Sequence, residues 1–399
     1  MRPVVIATCL LALIGCETQN EQPANNAPGQ FHLPSARNAA EIGTTGNIRP
    51  IFFFNDQMPT GVTVSHTSRI FVCYPRWGDR VNFTVAELRN GQEIPYPTPE
   101  INRADINRPA DTFISVQSVV LDPVDRLWVL DTGSINFQPV LPNGPKLVQI
   151  DLDLNRVVQK IQFPSNVVLP TTYLNDVRFD LTRGRAGYAY ITDSSNMGPN
   201  GIIVVDLSTG NSWRRLSGHP STTAQPNFIP YVEGQPLMLR EAGRDPKPMN
   251  MGSDGIAISA NGSRLYYCPL NGRHLYSVST DALVDPNQSE QQVERTVQDL
   301  GDRGFASDGL ESDSSGRVYL TDYEHNAIHV RDPSGDYNMI AQDPHLIWPD
   351  TMSIANDGYL YVTANQLNRM PRFNNGRDLR QKPYALFRMR LDAQRVQLK

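Results

Sequence analysis

The stretch Gln117-Ser-Val-Val-Leu-Asp122, a Pro-Val-Asp turn, then Arg126-Leu-Trp-Val-Leu-Asp131 decides the fold. Two short runs rich in β-branched and aromatic residues flank a tight polar turn, which is the signature of an antiparallel hairpin. The same pattern returns as Asn175-Asp-Val-Arg-Phe-Asp180 with Gly187-Tyr-Ala-Tyr-Ile-Thr-Asp193, and as Asp254-Gly-Ile-Ala-Ile-Ser259 with Arg264-Leu-Tyr-Tyr-Cys268. It returns again as Asp308-Gly-Leu-Glu-Ser-Asp313 with Arg317-Val-Tyr-Leu-Thr-Asp322, and as Asp350-Thr-Met-Ser-Ile-Ala355 with Tyr359-Leu-Tyr-Val-Thr-Ala364. A weaker copy, Thr60-Gly-Val-Thr-Val-Ser65 with Arg69-Ile-Phe-Val-Cys73, precedes them all. Most copies start 42 to 58 residues after the one before, the size of a four-stranded blade.

Six such copies predict an all-β, six-bladed β-propeller over residues 48–399. Outer strands follow the inner hairpins at Lys146-Leu-Val-Gln-Ile-Asp151, Gly201-Ile-Ile-Val-Val-Asp206 and His274-Leu-Tyr-Ser-Val278. No stretch over ten residues holds a strong helical period, and one helical turn is expected at Thr280 to Val284. The long spacing between Asn175 and Asp254 holds the loop-like stretch Gly218 to Gly252. Either Ile51 to Asn55 or Tyr384 to Leu391 completes the last blade. Cys73 and Cys268 fall at equivalent positions in copies one and four, on opposite sides of a six-fold ring. A disulfide tolerates Cα separations of at most roughly 7 Å, so both are expected as free thiols.

Composition narrows the class. With 39% hydrophobic and 19% charged residues, the chain of 399 residues is globular rather than disordered. The net charge of −5, with no basic run interleaved with aromatics, excludes nucleic acid as a partner. The apolar run Val4 to Ile14 is shorter than the roughly 20 residues that span a bilayer. It reads as the core of a signal peptide over residues 1–15. The run ends in Leu13-Ile14-Gly15-Cys16, which resembles a bacterial lipobox, so Cys16 is the expected lipidation site. Residues 16–47 then form an acylated cysteine and a polar, flexible tether. The expected location is the cell envelope, with the outer membrane favoured because Glu17 follows the cysteine, or the extracellular space. The membrane is then a partner through the lipid anchor.

The chemistry is expected at one face of the ring. In an antiparallel hairpin, the start of the first strand and the end of the second lie on the same side. The first column of residues there reads Thr60, Gln117, Asn175, Asp254, Asp308 and Asp350. Three carboxylates converging on a narrow channel repel one another, so they take up protons or attract a cation. Gln117, Asn175, Asp254, Asp308 and Asp350 are therefore the candidate ligand-binding set. Asn175, Asp254 and Asp308 are the candidate ligands for Ca2+ or another divalent metal. The competing reading is structural: Asp-Gly opens a turn and the carboxylate caps backbone amides. The second column, Asp131, Asp193, Asp322 and Asn365, reads as turn-stabilising. His325 could serve as an acid or base at this face. Arg76 and Trp77, after the second strand of the first copy, are a candidate cation–π clamp or blade cap. No HExxH, GxSxG, CxxC or P-loop pattern names a reaction, which leaves enzymatic activity open.

Specific strings add a resemblance. Tyr74-Pro-Arg-Trp-Gly78, Pro95-Tyr-Pro97, Arg126-Leu-Trp-Val-Leu-Asp-Thr-Gly133, Leu265-Tyr-Tyr-Cys-Pro-Leu270 and Trp348-Pro-Asp-Thr-Met352 resemble the Yellow/major royal jelly protein family, in the family's order. The resemblance implies a six-bladed propeller that binds small amines or aromatics, with bacterial members described as related to dopachrome tautomerase. The family's Cys-Pro-Pro segment is here Leu141-Pro-Asn-Gly-Pro145 and a later Cys-Trp is His329-Val330, so the insect disulfides are expected to be missing. A more distant similarity is to gluconolactonase-type propellers. Those hold a metal with Asn and Asp at inner-strand starts, as at Asn175, Asp254 and Asp308, although Thr60 stands where their first-blade acid would be. Three functions stay open: a binder of a small aromatic or amine-bearing molecule, with or without isomerase activity; a divalent-metal-dependent lactonase or esterase; and a protein-binding scaffold.

Overall fold

The computed structural model describes Met1, residues 33–39 and residues 42–399. The expected signal-peptide core Val4 to Ile14 and Cys16 lie outside the described residues. Six four-stranded antiparallel sheets follow one another from Val62 to Arg390. Blade 1 runs from Val62–Val64 to Gln92–Pro95, blade 2 from Val116–Leu121 to Arg156–Gln162, and blade 3 from Leu174–Asp180 to Ser212–Arg215. Blade 4 runs from Ser253–Ile258 to Gln298–Asp302, and blade 5 from Leu310–Ser312 to Tyr337–Gln342. Each blade's first strand packs beside the first strands of its two neighbours, and blade 6 returns to blade 1, so the ring is closed.

Both chain ends close blade 6. Its inner strands are Pro349–Ile354 and Tyr359–Ala364, its third strand is Tyr384–Arg390, and its outermost strand is Arg49–Phe54. Phe54 pairs with Tyr384 and Arg49 with Arg388. The two alternatives left open by the sequence are therefore adjacent strands of one sheet. Arg49–Phe54 covers the edge of Tyr384–Arg390 and clasps the start of the ring to its end. Residues ahead of the expected boundary at 48 also join this body. Ala36 N–H donates to Pro344 O, and Thr45 bridges to Gln342.

Side-chain alternation explains the stacking of blades. On Leu127–Asp131, Leu127 and Val129 pack toward blade 1, while Trp128 and Leu130 pack toward blade 3. Inner strands of this kind present two apolar faces, and among the described residues most of the core clusters lie between neighbouring blades, while one also gathers residues from the connections of the open face. Full burial of one large side chain stabilises by roughly 1.5–3 kcal/mol. The outermost Arg156–Gln162 has one apolar face only and alternates with exposed residues. Cys73 and Cys268 are buried and unpaired, as expected. Burial pushes the Cys73 thiol up to about 12.

The two faces of the ring differ. On one, the chain segment 392–398 crosses the hairpin turns: Ser314 N–H donates to Gln394 O, Leu181 N–H to Leu398 O, and Arg395 reaches Asp125 at 3.2 Å. The other face stays open beneath two long connections, Gly218 to Gly252 and Gln366 to Lys382. The first carries two small ribbons, Tyr231–Val232 with Gln235–Pro236 and Met238–Leu239 with Lys247–Pro248. The second carries two 3-10 turns, Leu367–Arg369 and Pro371–Phe373. Buried Arg369 pairs with Glu233, joining the two connections.

Candidate functional site

A cavity of about 550 Å³ lies under these connections and opens into the channel. Gln117, Asn175, Asp254, Asp308 and Asp350 all line it. The remaining first-column residue, Thr60, turns instead to Gln117 O at 3.2 Å. The glycines after Asp254 and Asp308 explain the convergence. A Cβ at Gly255 would lie 2.4 Å from Asp308 O, and one at Gly309 would lie 2.2 Å from Asp350 O. Only glycine lets successive inner strands approach this closely. Asp-Gly here is a blade-to-blade contact rather than the start of a turn. Threonines near the ends of the second strands hold the backbone in place. Thr321 Oγ1 accepts from Asp308 N–H and Gly309 N–H at 3.1 Å each, and Thr192 Oγ1 donates to Asp254 O at 2.6 Å.

The three acids are held by neutral partners. Asn175 Nδ2 donates to Asp254 Oδ1 at 2.6 Å, Trp348 Nε1 to Asp308 Oδ2 at 2.7 Å, and Asn365 Nδ2 to Asp350 Oδ2 at 2.6 Å. Asp254 and Asp308 also hydrogen-bond to each other, which requires that one of them carry a proton. Burial first, and then mutual repulsion, holds all three well above the usual carboxylate range. No cation figures among the groups that act most on them.

The second column is structural. Asp131 accepts from the N–H groups of Ile114, Ser115 and Gly133, and pairs with fully buried Lys146 at 2.6 Å. Asp193 caps Tyr173 N–H and Ser195 N–H and pairs with Arg214 at 2.8 Å. Asp322 binds both His325 and His329, and neither histidine lines the cavity. Of that column only Asn365 serves the site, by holding Asp350.

Arg76 and Trp77 part company. Trp77 lines the cavity, and its indole N–H donates to Tyr173 Oη at 2.6 Å. Tyr173 in turn donates to Gln117 Oε1 at 2.9 Å. Arg76 is not in the lining. Its guanidinium donates to Ile114 O at 2.9 Å, and also to the carbonyls of Val81 and Asn102, so it ties backbone together instead of clamping a ligand.

Much of the wall was not foreseen. Phe137 stacks between Trp77 and Tyr173, with ring centroids 5.4 and 4.8 Å away. Met249, Met251 and Met370 add soft apolar surface, and Arg372 lies over Phe137. All come from connections on the open face. The unusual length of Gly218 to Gly252 was a signal for Met249 and Met251; nothing comparable in the sequence pointed to Phe137, Met370 or Arg372.

As arranged, Asn175, Asp254 and Asp308 do not make a closed cation site. Asn175 presents its Nδ2 to Asp254, the two acids bond to each other, and Asp308 is further held by an indole. Among the described residues no three His, Cys, Asp or Glu side chains are grouped to share a metal ion.

The fold has many relatives in shape. A gluconolactonase from Xanthomonas campestris superposes with a TM-score of 0.51 at 11% identity, over 91% of this chain and 96% of its own. A calcium-binding regucalcin from Agrobacterium tumefaciens does so at 0.50 and 13%, over 87% and 95%. Such identities show the propeller fold alone. In sequence, major royal jelly protein 7 of Apis mellifera is 24% identical over 318 residues, 73% of this chain and 67% of that protein. Protein yellow of Drosophila pseudoobscura pseudoobscura is 25% identical over 363 residues, 86% of this chain but only 61% of its own length. The major royal jelly protein profile matches residues 114–397, well over half of the sequence. The chain belongs to the major royal jelly protein family.

Proposed function

We propose that this chain binds a small aromatic molecule carrying an amine, with the amine on the channel acids and the ring against Trp77, Phe137 and Tyr173. One observation carries the reading: three buried carboxyl groups without a cation form the floor of an aromatic-walled cavity. An ammonium group supplies the missing charge, and its three donors suit a set of acceptor oxygens. The Asp254–Asp308 pair, holding one proton between two oxygens, is also the acid and base that isomerising a quinone-like ring needs.

Binding an ammonium favours the ionised carboxylates. Their pKa values are raised in the free protein, so binding expels protons, and affinity rises with pH until the acids are ionised. Titration calorimetry with benzylamine in two buffers of different ionisation heat measures this release. Asp308→Asn is expected to weaken benzylamine at least tenfold and to cut the proton release. Equal binding by the variant would sink the reading. A metal-dependent lactonase is less well supported, because the acids are engaged with each other. Lactone hydrolysis abolished by chelation and restored by Ca2+ would reverse that preference.

For location we propose export and acylation at Cys16, on the strength of the Leu13-Ile14-Gly15-Cys16 pattern. Two acyl signals anchor firmly, at roughly 0.8 kcal/mol per buried CH₂. Labelled palmitate should enter the wild-type chain and be absent from Cys16→Ser; label retained in that variant would refute the assignment.

A further inference from the structure

The cavity has a second charged feature that the amine reading leaves unused. Arg372 enters from the 3-10 turn Pro371–Phe373 and lines the same space as the channel acids. Its guanidinium carbon lies over Phe137, 4.4 Å from the ring centroid. Among the described residues it forms no ion pair. Its hydrogen bonds are two long ones from Nη2, to Trp77 O at 3.3 Å and Asn136 Oδ1 at 3.4 Å. The acids near it are committed elsewhere. Asp79 receives both ends of the Arg380 fork, at 2.6 and 2.8 Å, and Glu241 pairs with Arg244. Lys247 on the rim adds a second positive group.

A largely buried guanidinium without a carboxylate is as unbalanced as a buried carboxylate without a cation. The cavity therefore has two unbalanced poles, acids on the channel floor and Arg372 in the roof. The stacked rings of Phe137 and Tyr173 lie between them, with Tyr173 bonded to Gln117 on the floor. The contact with Phe137 helps position the Arg372 fork, whose planar geometry suits two parallel N–H···O bonds to a planar anion.

We propose that the preferred ligand is a zwitterion, an aromatic ring with an ammonium group at one end and a carboxylate at the other, and that Arg372 selects the carboxylate. The proposal rests on the amine reading for the floor and adds the roof. An α-amino acid, whose two charges sit on one carbon, is expected to engage one pole at a time and to bind more weakly.

Four probes test it on the purified chain: benzylamine, 4-(aminomethyl)benzoate, the methyl ester of the latter, and benzoate. In the wild type, the acid should bind at least tenfold more tightly than its ester, which keeps the ring and amine but loses the anion. In Arg372→Gln that ratio should collapse toward one, and Arg372→Lys should restore part of it. An acid-to-ester ratio near one in the wild type, or an unchanged ratio in Arg372→Gln, overturns the assignment. Should Arg372→Gln fail to fold, by thermal midpoint, the acid–ester comparison on the unaltered chain still decides. The two readings fail separately. Benzylamine without affinity, beside benzoate binding that depends on Arg372, removes the amine and leaves the anion site; no affinity for any of the four removes both.

Discussion

At the open end of the channel, Asp254, Asp308 and Asp350 hydrogen-bond to amides, an indole, a hydroxyl and one another, and the Asp176 carboxylate adds further negative charge. At the closed end, acids meet cations. Asp313 pairs with Arg317 at 2.6 Å, Asp122 with Arg126 at 2.6 Å, and Asp125 with Arg395 of the crossing C-terminal segment at 3.2 Å; within the channel, next to Asn175, Asp176 pairs with Arg178 at 2.8 Å. Glu311 sits between the influence of Arg178 and Arg395. The same inner strands build both ends, so the strands do not force the difference. A protein that needed only to fill its channel could have balanced the open end in the same way. Charge left unbalanced at one end, while it is neutralised at the other, marks the end that is kept for a ligand.

The largest expected effect lies at the closed end. Arg178 donates to Asp176 and also crosses the channel from blade 3 to Leu310 O of blade 5 at 2.6 Å. Arg178→Met removes the cation paired with buried Asp176 and takes away a favourable charge beside Glu311. Breaking a buried pair from one side costs about 3–5 kcal/mol. Urea unfolding should show a loss of that size, with benzylamine affinity far less affected by any residual fold change than by substitution of Asp308. A loss below about 1 kcal/mol would show that the closed end is not held by charge pairing, and the contrast between the ends would fail.

How much of this was legible in the sequence follows from the range of each interaction. The hairpins were legible because period-two alternation and turn residues are local, as in Arg126-Leu-Trp-Val-Leu-Asp131. The acids of the channel were legible because a residue at the start of an inner strand has one place to go. Ring closure was not, because Arg49–Phe54 and Tyr384–Arg390 each read as a lone strand, and only their pairing across the whole chain shows that both belong to blade 6. Arg76 misled because neighbours in a loop can face opposite ways: Trp77 turns to the cavity and Arg76 to backbone carbonyls. Phe137, Tyr173 and Arg372 come from three separate connections, and nothing local in any of them says that they stack in one column. Asp-Gly was ambiguous for a related reason. A glycine needed for a close approach and a glycine needed for a turn look alike until the neighbouring blade is in place.

The smallest expected effect has the opposite sign to the first and tests the same contrast. Asp254→Asn keeps an oxygen for Asn175 and gives an N–H to Asp308, while removing one desolvated charge and its repulsion with Asp350. In the free wild type, the folded-state pKa of Asp254 lies above its unfolded value of about 4. Such a group contributes its full stability below the unfolded pKa and loses it as pH rises through the folded one. The variant should therefore match the wild type near pH 4 and exceed it by about 1–2 kcal/mol at neutral pH and above, while binding benzylamine poorly. The paired acid inside the channel should show the opposite sign: Asp176→Asn leaves Arg178 without its carboxylate and should be destabilising. Thermal unfolding of both variants at neutral pH reads the two signs directly. If Asp254→Asn were as destabilising as Asp176→Asn, the open-end acids would be ordinary structural groups, and the cavity above them would lose its claim to a cationic ligand.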